Sequence, residues 1–112
     1  ARPYYELRQI SAYLARSERQ RIPIGHLGAY HGQYHFLGRL HRPFETIPEG
    51  KVAEWVAHHD AGLIVSYPKQ APVQGLHRPR ALYPYRGRWV AIWSAKDFLD
   101  ASKLFAVVPE AP

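Results

Sequence analysis

Apolar and polar residues recur with a helical period over the first twenty positions. Pro3 suits a first helical turn, where its missing N–H would have no partner in any case. We expect an amphipathic helix over residues 3–20. The run 22–27 that follows is mostly apolar and is ended by Gly28, which predicts a short buried strand. The apolar face of the helix consists of Tyr4, Leu7, Ile10 and Leu14.

The middle of the chain alternates between short helical and strand patterns. Residues 33–40 predict a short helix, and residues 43–47 predict a second strand. A further helix is expected over residues 49–59, because its apolar side chains share one face and Gly62 suits a C-terminal stop. Residues 63–67 form a nearly continuous apolar run, which is typical of a strand buried on both faces.

The next part of the chain predicts a loop and a hairpin. Residues 68–79 contain three prolines and are expected to form the loop. Pro84 limits residues 82–85 to an edge strand, because proline cannot donate a ladder hydrogen bond. Arg86-Gly87 supplies a turn, so residues 88–93 are expected to pair antiparallel with the edge strand.

A final helix over residues 95–104 is expected, because Ser94 and Asp97 have the spacing of a capping box. The complete order is helix, strand, short helix, strand, helix, strand, hairpin, helix. This alternation predicts the α/β class, with a small mixed sheet of about five strands covered by helices. The core of the sheet would be parallel and its C-terminal hairpin antiparallel. The length of 112 residues suits one core, so residues 1–112 are interpreted as a single soluble domain.

Composition narrows the classes of function. The chain has no Cys, which excludes disulfides, thiolate metal sites and a cysteine nucleophile. No apolar run reaches the roughly 18 residues needed to cross a bilayer, and the first residues lack the apolar centre of a signal peptide. Because the chain begins without Met at an amphipathic helix, we expect it to be a piece excised from a longer protein.

The charge is strongly basic, with fifteen Lys and Arg against nine Asp and Glu and a formal net charge of +6. This sign favours anionic partners such as lipid headgroups, phosphorylated carriers or nucleic acid. Arg outnumbers Lys, and Arg binds phosphate through two parallel hydrogen bonds. A solvated basic surface that only maintains solubility explains the same charge, so both interpretations stay open.

Histidines are the first candidates for chemistry. His31 and His35 are four residues apart, which would place two imidazoles on one helical face, and His26 or His41 could add a third metal ligand. Gly32 interrupts the pair, and no His-Glu-Xaa-Xaa-His pattern occurs, so structural or surface roles are favoured. We expect no metal site.

No other pattern indicates a catalytic constellation. Gly25, Gly28 and Gly32 lack the spacing of a dinucleotide-binding loop and are interpreted as turn formers. No Gly-Xaa-Ser-Xaa-Gly elbow occurs, and the carboxylates fall mostly on predicted helix faces. We therefore expect no catalytic residue and no cofactor in this domain.

Basic and aromatic residues alternate between residues 77 and 89. Aromatic side chains among arginines can stack on bases or lie at a headgroup boundary, while Arg binds phosphate. Alternate aromatics in a hairpin can equally form one row that faces the core. Both interpretations remain open for this segment.

Three passages together resemble a known family: residues 25–39 (GHLGAYHGQYHFLGR), 62–68 (GLIVSYP) and 86–93 (RGRWVAIW). They are similar to the soluble C-terminal part of bacterial membrane glycosyltransferases related to dolichyl-phosphate-mannose protein mannosyltransferases and to the lipid A aminoarabinose transferase, which are of the GT-C type. The similarity covers most of the chain. It rests on the layout and on the run Tyr-Xaa-Gly-Xaa-Tyr-Xaa-Phe-Leu-Gly-Arg.

The resemblance implies a parent protein with many membrane helices that transfers a sugar from a polyprenyl-phosphate carrier to an acceptor outside the cytoplasm. The present domain would lie at the periplasmic face of the inner membrane, in contact with the transmembrane part of its own chain. The catalytic carboxylate of the family belongs to that membrane part, so the resemblance assigns no catalytic residue here. Anionic lipid or the polyprenyl-phosphate carrier would be further partners.

Two sets of candidate binding residues follow. The first set would line one end of the sheet on the carrier or acceptor side, since open α/β sheets place ligands beyond the carboxyl ends of their strands. It consists of Tyr30, His31, Gln33, Tyr34 and Arg39. The second set would face phosphate or headgroups and consists of Arg78, Arg80, Arg86 and Arg88.

Two alternatives belong to other classes of protein. A freestanding nucleic-acid-binding module would also explain the charge and the arginine-tyrosine hairpin, but the sequence lacks an RNP-type motif and a recognisable helix-turn-helix. An independent hydrolase or transferase would need a carboxylate or histidine within reach of a nucleophile, and no spacing indicates one. Nucleic acid is therefore the second choice of partner.

Overall fold

The computed structural model describes residues 3–72 and 77–105. The helices are α1 (Pro3–Arg19), α2 (His35–Gly38), α3 (Val52–His58) and α4 (Ala95–Phe105). The strands are β1 (Ile24–Leu27), β2 (Glu45–Ile47), β3 (Leu63–Ser66), β4 (Ala81–Tyr85) and β5 (Arg88–Ser94). Among the helices of these residues, none combines the length and the apolar character that crossing a bilayer requires.

The five strands form one mixed sheet in the order β2-β1-β3-β5-β4. β1 is parallel to β2 on one side and to β3 on the other, whereas β5 pairs antiparallel with both β3 and β4. The predicted α/β class, the parallel core and the C-terminal hairpin are confirmed.

Helices cover both faces of the sheet. On the first face α1 and α2 pack over a core whose buried members alternate along the strands. This core consists of Ile10, Leu14, Ile24, Tyr34, Leu63, Val65, Val90 and Ile92. On the second face Trp55 of α3 and the helix α4 cover the strand residues that point the opposite way, including Ile47, Ile64, Ala91 and Trp93. The strand β3 is buried on both faces, as its apolar run predicts.

The connection from α1 to β1 shortens the predicted first strand. Arg21 takes a left-handed conformation with φ 60°, and pairing begins only at Ile24. Pro23 has no N–H for a ladder, but its carbonyl accepts the Leu63 N–H at 2.9 Å. The predicted helix over residues 33–40 likewise contracts to α2, because Arg39 ends it in a left-handed conformation with φ 51°.

The capping prediction for α4 is confirmed, since Ser94 Oγ accepts the Asp97 N–H at 3.2 Å. The hairpin turn also has the expected chemistry, with positive φ at both central residues, 50° at Arg86 and 78° at Gly87. Part of the predicted loop over residues 68–79 cannot be compared, because residues 73–76 lie outside the described part of the chain.

Candidate functional site

The sheet has a topological switch point between β1 and β3. The chain leaves β1 toward β2 on one side and leaves β3 toward the β4–β5 hairpin on the other. Because the two strands are parallel, their carboxyl ends lie at the same edge, where open α/β sheets place their ligands. His26 lies near the end of β1 and Tyr67 directly after β3. We call this region the carboxyl edge.

A series of buried side chains at the carboxyl edge, on the α1–α2 face, is linked by hydrogen bonds. His26 Nδ1 lies 2.9 Å from the Gly28 carbonyl, which can only accept, so Nδ1 carries the proton and Nε2 is an acceptor. The Tyr67 hydroxyl donates to His26 Nε2 at 2.6 Å. It therefore accepts from the Tyr34 hydroxyl at 2.7 Å and from Gln33 Nε2 at 3.4 Å. The carbonyl of Gly28 thus determines which group donates and which accepts in each hydrogen bond of this series.

A second tyrosine-histidine pair lies beside the first. His35 Nε2 donates to the Arg42 carbonyl at 2.6 Å, so its Nδ1 accepts from the Tyr30 hydroxyl at 2.6 Å. The Tyr30 oxygen also accepts the Tyr34 N–H at 3.0 Å. Phe44 packs between them, with its ring centroid 4.7 Å from each of the Tyr30 and His35 rings. Both ring nitrogens of His26 and of His35 are thus occupied by protein groups.

Burial favours the neutral forms of His26 and of the three tyrosines. Desolvation lowers the pKa of His26, with a smaller lowering by the nearby His31, although the bond to the Gly28 carbonyl opposes it. Desolvation also raises the pKa of Tyr34 and Tyr67 far above the usual range, and that of Tyr30 to a lesser degree. Because the Gly28 carbonyl and the Tyr67 hydroxyl occupy both nitrogens of His26, its neutral imidazole holds the network together through hydrogen bonds.

The hairpin tip extends the same edge with positive charge. Tyr67 contacts the Tyr85 ring at a centroid distance of 6.2 Å, and the Arg86 guanidinium carbon lies 5.2 Å above that ring. The Trp89 N–H donates to the Pro68 carbonyl at 3.1 Å, which fixes the start of β5 to the end of β3. A hollow of about 280 Å³ opens here. It is lined by Glu6, Pro84, Tyr85, Arg86, Gly87, Arg88 and Trp89.

The structure brings some of the predicted binding residues together and separates others. Tyr30, Gln33 and Tyr34 belong to the hydrogen-bonded groups of the carboxyl edge. His31 is exposed at the rim, where its N–H donates to Gln33 Oε1 at 3.2 Å. Arg39 is exposed just after α2, where its backbone N–H donates to the His35 carbonyl.

The four predicted phosphate-facing arginines fall into two pairs. Arg86 and Arg88 flank the hairpin tip at the carboxyl edge. Arg80, whose N–H donates to the Ile92 carbonyl, lies at the other end of β4, and Arg78 precedes it. Six strand residues span roughly 20 Å, so Arg80 is remote from Arg86.

Two residues of the carboxyl edge have roles that the sequence alone did not indicate. His26 was considered only as a third metal ligand, and Tyr67 only as the last residue of a strand. Both occupy positions at the carboxyl ends of neighbouring parallel strands, which is the signal that could have identified them. Their partnership across 41 positions of sequence depends on the sheet order.

One group of side chains has the residue types of a cation site. His77, Asp97 and Asp100 each present a ligand atom, and these atoms lie within 4.8 Å of one another. His77 Nδ1 lies 3.3 Å from an Asp97 carboxylate oxygen. A hydrogen bond between His77 and Asp97 at the first turn of α4 accounts for this arrangement without a bound metal, since carboxylates are stabilised near a helix N-terminus.

A second hollow, of about 260 Å³, lies at the opposite edge of the sheet and also contains arginines. Arg21 and Arg42 line it together with Glu18 and Glu45. Two carboxylates therefore balance two guanidiniums there, whereas the hollow at the hairpin tip has two arginines and one carboxylate. The carboxyl edge is the better candidate for an anionic ligand.

Comparisons of the chain with family models, with curated proteins and with solved structures found no match.

Proposed function

We propose that this chain is a non-catalytic, extracytoplasmic domain of a membrane glycosyltransferase that uses a polyprenyl-phosphate sugar. Its carboxyl edge would help to position the carrier or the acceptor. One observation carries the proposal. The switch point of the sheet joins a neutral network of hydrogen-bonding side chains to two exposed arginines through the tilted contact between the Tyr67 and Tyr85 rings.

The chemistry of this edge suits a phosphate attached to an apolar group. Arg86 and Arg88 can donate to phosphate oxygens, while Tyr85 and Trp89 provide apolar walls. At about 280 Å³ the hollow lies just below the size of pockets for drug-sized ligands, so it suits a phosphate with a short part of a prenyl chain. Glu6 at the same hollow can accept a sugar hydroxyl.

Binding of a short prenyl phosphate tests the edge directly. We expect geranyl phosphate to shift the amide resonances of residues 85–89 and of Tyr67 in ¹⁵N-labelled protein. The double change Arg86→Gln and Arg88→Gln should weaken this binding at least tenfold, because two charge-assisted hydrogen bonds are lost. Arg80→Gln removes an arginine from the other end of the same hairpin and serves as the control.

Three results would count against the proposal. Geranyl phosphate could leave the carboxyl-edge resonances unchanged, or Arg80→Gln could weaken binding as much as the double change. Tighter, salt-sensitive binding of short oligothymidylate at the same residues would favour the nucleic-acid-binding module.

A separate experiment tests whether the domain is part of a larger membrane protein. An antibody against this domain should detect a membrane-bound product several times heavier than 12.9 kDa in fractionated cells. A product of about that mass outside the membrane fraction would contradict the glycosyltransferase assignment.

A further inference from the structure

Charge is segregated between the two helical layers of the molecule. Residues 3–44, which contain α1 and α2, have six Arg and two Glu. Residues 45–61 and 94–105, which contain α3 and α4, have three Lys against six Asp and Glu. The sheet therefore separates a basic layer from a mildly acidic one.

The outer face of α1 is a basic stripe. Ile10 and Leu14 face the sheet, so the exposed positions 8, 12, 16 and 19 point away from it. Three of these four positions are occupied by arginine: Arg8, Arg16 and Arg19.

One of the two carboxylates of this layer is held by backbone N–H groups outside the stripe. Glu18 accepts the N–H groups of His41 and Arg42 at 2.7 to 3.0 Å, which directs it toward the connection after α2. Glu6 lines the hollow at the hairpin tip.

A single apolar side chain projects from the same layer. Phe36 on α2 is 87% exposed and is the one large hydrophobic side chain with such exposure among the described residues. The short helix α2 lies directly against α1, since a Cβ on Gly38 would come within 2.8 Å of the Ser11 carbonyl oxygen. Arg39 follows Phe36 by three positions and is also exposed.

We propose that the α1–α2 layer is the face by which the domain binds an anionic lipid bilayer, with Phe36 inserted at the headgroup boundary and arginines on the lipid phosphates. The inference deepens the proposed function, because it rests on a domain that works beside a membrane and states which face meets the lipid. An exposed apolar side chain on a layer with an excess of arginines matches a bilayer interface, where apolar burial and headgroup attraction add. The acidic α3–α4 layer is repelled by the same surface, so the domain binds in one orientation.

Vesicle flotation tests the face without any carrier or acceptor. The chain is mixed with vesicles of phosphatidylcholine containing phosphatidylglycerol, and with vesicles of phosphatidylcholine alone. We expect binding to the first and little to the second, and the binding should weaken as salt is raised. Phe36→Ser should reduce the partition coefficient between vesicles and water roughly tenfold, because the variant lacks the apolar side chain that the bilayer interface buries.

Removal of one cation from each helical layer distinguishes vesicle binding by a specific face from a general attraction of the basic protein to anionic lipid. Arg19→Gln removes a cation from the last turn of α1, and Lys103→Gln removes one from the last turn of α4 on the other face. We expect about a fivefold loss of binding for Arg19→Gln and for Arg39→Gln, the effect of one cation near an anionic surface, and no comparable loss for Lys103→Gln. Circular dichroism verifies that each variant is folded.

Insertion can be observed directly because the chain contains no cysteine. An environment-sensitive fluorophore on Phe36→Cys should shift to shorter wavelength when anionic vesicles are added, whereas the same label on Ala53→Cys of α3 should not. Equal losses for Arg19→Gln and Lys103→Gln, equal shifts for the two labels, or no vesicle binding would each overturn the inference. None of these results affects the geranyl phosphate experiment, which examines the carboxyl edge by itself.

Discussion

His26 is the residue on which the carboxyl edge depends. It is buried to 1% exposure in an otherwise apolar strand, and both of its ring nitrogens are hydrogen-bonded. A buried polar group without partners would be costly, whereas a fully bonded one fixes a single arrangement of its neighbours. The neutral form of His26 therefore sets the orientation of Tyr67 and, through it, of Tyr34.

Stability should fall on acidification because of His26. Its pKa in the folded chain lies below the ordinary value of 6.5. Between the two values the unfolded chain holds a proton that the folded chain lacks, so the free energy of unfolding increases with pH across this window. The contribution is present above 6.5 and is lost as the pH falls toward the folded pKa.

The change His26→Gln isolates this effect, because an amide can accept the Tyr67 hydrogen bond without titrating. Urea unfolding from about pH 7.5 to about pH 5 should show a steeper loss of stability for the wild type than for the variant. Parallel curves would contradict the role assigned to His26, since the two proteins differ at no other residue.

The two tyrosine hydroxyls should differ in importance. Tyr34→Phe removes one donor and leaves Tyr67 with its other partners, which costs about 1 kcal/mol. Tyr67→Phe leaves His26 Nε2 buried without a donor and should cost about 1–3 kcal/mol. Urea unfolding measures both free energies, and an equal or smaller loss for Tyr67→Phe would contradict the bond directions derived above.

The sequence predicts which residues lie at the carboxyl edge better than it predicts which of their side chains contact one another. Tyr30, Gln33 and Tyr34 follow a predicted strand, and that position indicated them. Nothing in the local pattern joins His26 to Tyr67, because their bond requires β1 and β3 to be neighbours. That adjacency is a property of the sheet.

At the element scale the hairpin combines turn geometry with binding. Both central residues of its turn have positive φ, which Asn and Gly adopt easily and Arg does not. Arg86 therefore occupies a backbone conformation that disfavours it, at the position where its guanidinium reaches the hollow. Strain of this kind is found at functional sites.

Replacement of Arg86 should increase the stability of the hairpin and weaken ligand binding. Arg86→Asn is expected to stabilise the hairpin by roughly 0.5–1 kcal/mol, because Asn tolerates the left-handed conformation. The same change should weaken geranyl phosphate binding. Thermal unfolding and amide-shift titration measure the two effects, and Arg88→Asn, at a position in the strand, serves as a control that should not stabilise. A lower melting temperature for Arg86→Asn would contradict the strain argument.

Gly25 lies within β1 and not in the turn that its sequence context predicted, and close packing between elements explains the glycine there. A Cβ at this position would lie 2.5 Å from Ile47 Cδ1 and 2.9 Å from a Trp55 ring carbon. Gly25→Ala should therefore destabilise the fold by about 1–3 kcal/mol, the usual cost of overpacking a core. Urea unfolding measures the loss, and a neutral effect would show that β1 and α3 can separate freely.

Helices and strands could be predicted from sequence more securely than their ends. Every predicted element occurs, because the periodicities of α1, α3 and β3 reflect the faces that they bury. The first strand is shorter than expected because the left-handed Arg21 precedes it and pairing begins only at Ile24. A left-handed arginine has no signature in the pattern of apolar residues.

At the scale of the whole molecule, strand order is what the sequence leaves open. The alternation of elements predicts a parallel core and an antiparallel hairpin, but it does not indicate that β1 lies between β2 and β3. That order creates the switch point, and the two helical layers follow from it. The segregation of charge is visible only after the helices are assigned to their faces.

The same order predicts a gradient of local stability. β3 lies at the centre, pairs on both sides and has Leu63, Ile64 and Val65 almost completely buried. β2 lies at the edge with three residues, of which only Ile47 is buried. Because local opening is easiest where few groups are buried, β2 should open without disturbing the rest of the sheet.

Native-state hydrogen exchange by NMR tests this gradient. The amides of β3 should exchange only through global unfolding, with a free energy equal to that from urea unfolding and the same denaturant dependence. The amides of β2 should exchange through smaller openings that depend little on urea. Equal protection of β2 and β3 would mean that the sheet opens as one unit, and that the β2 edge is held by contacts stronger than its burial implies.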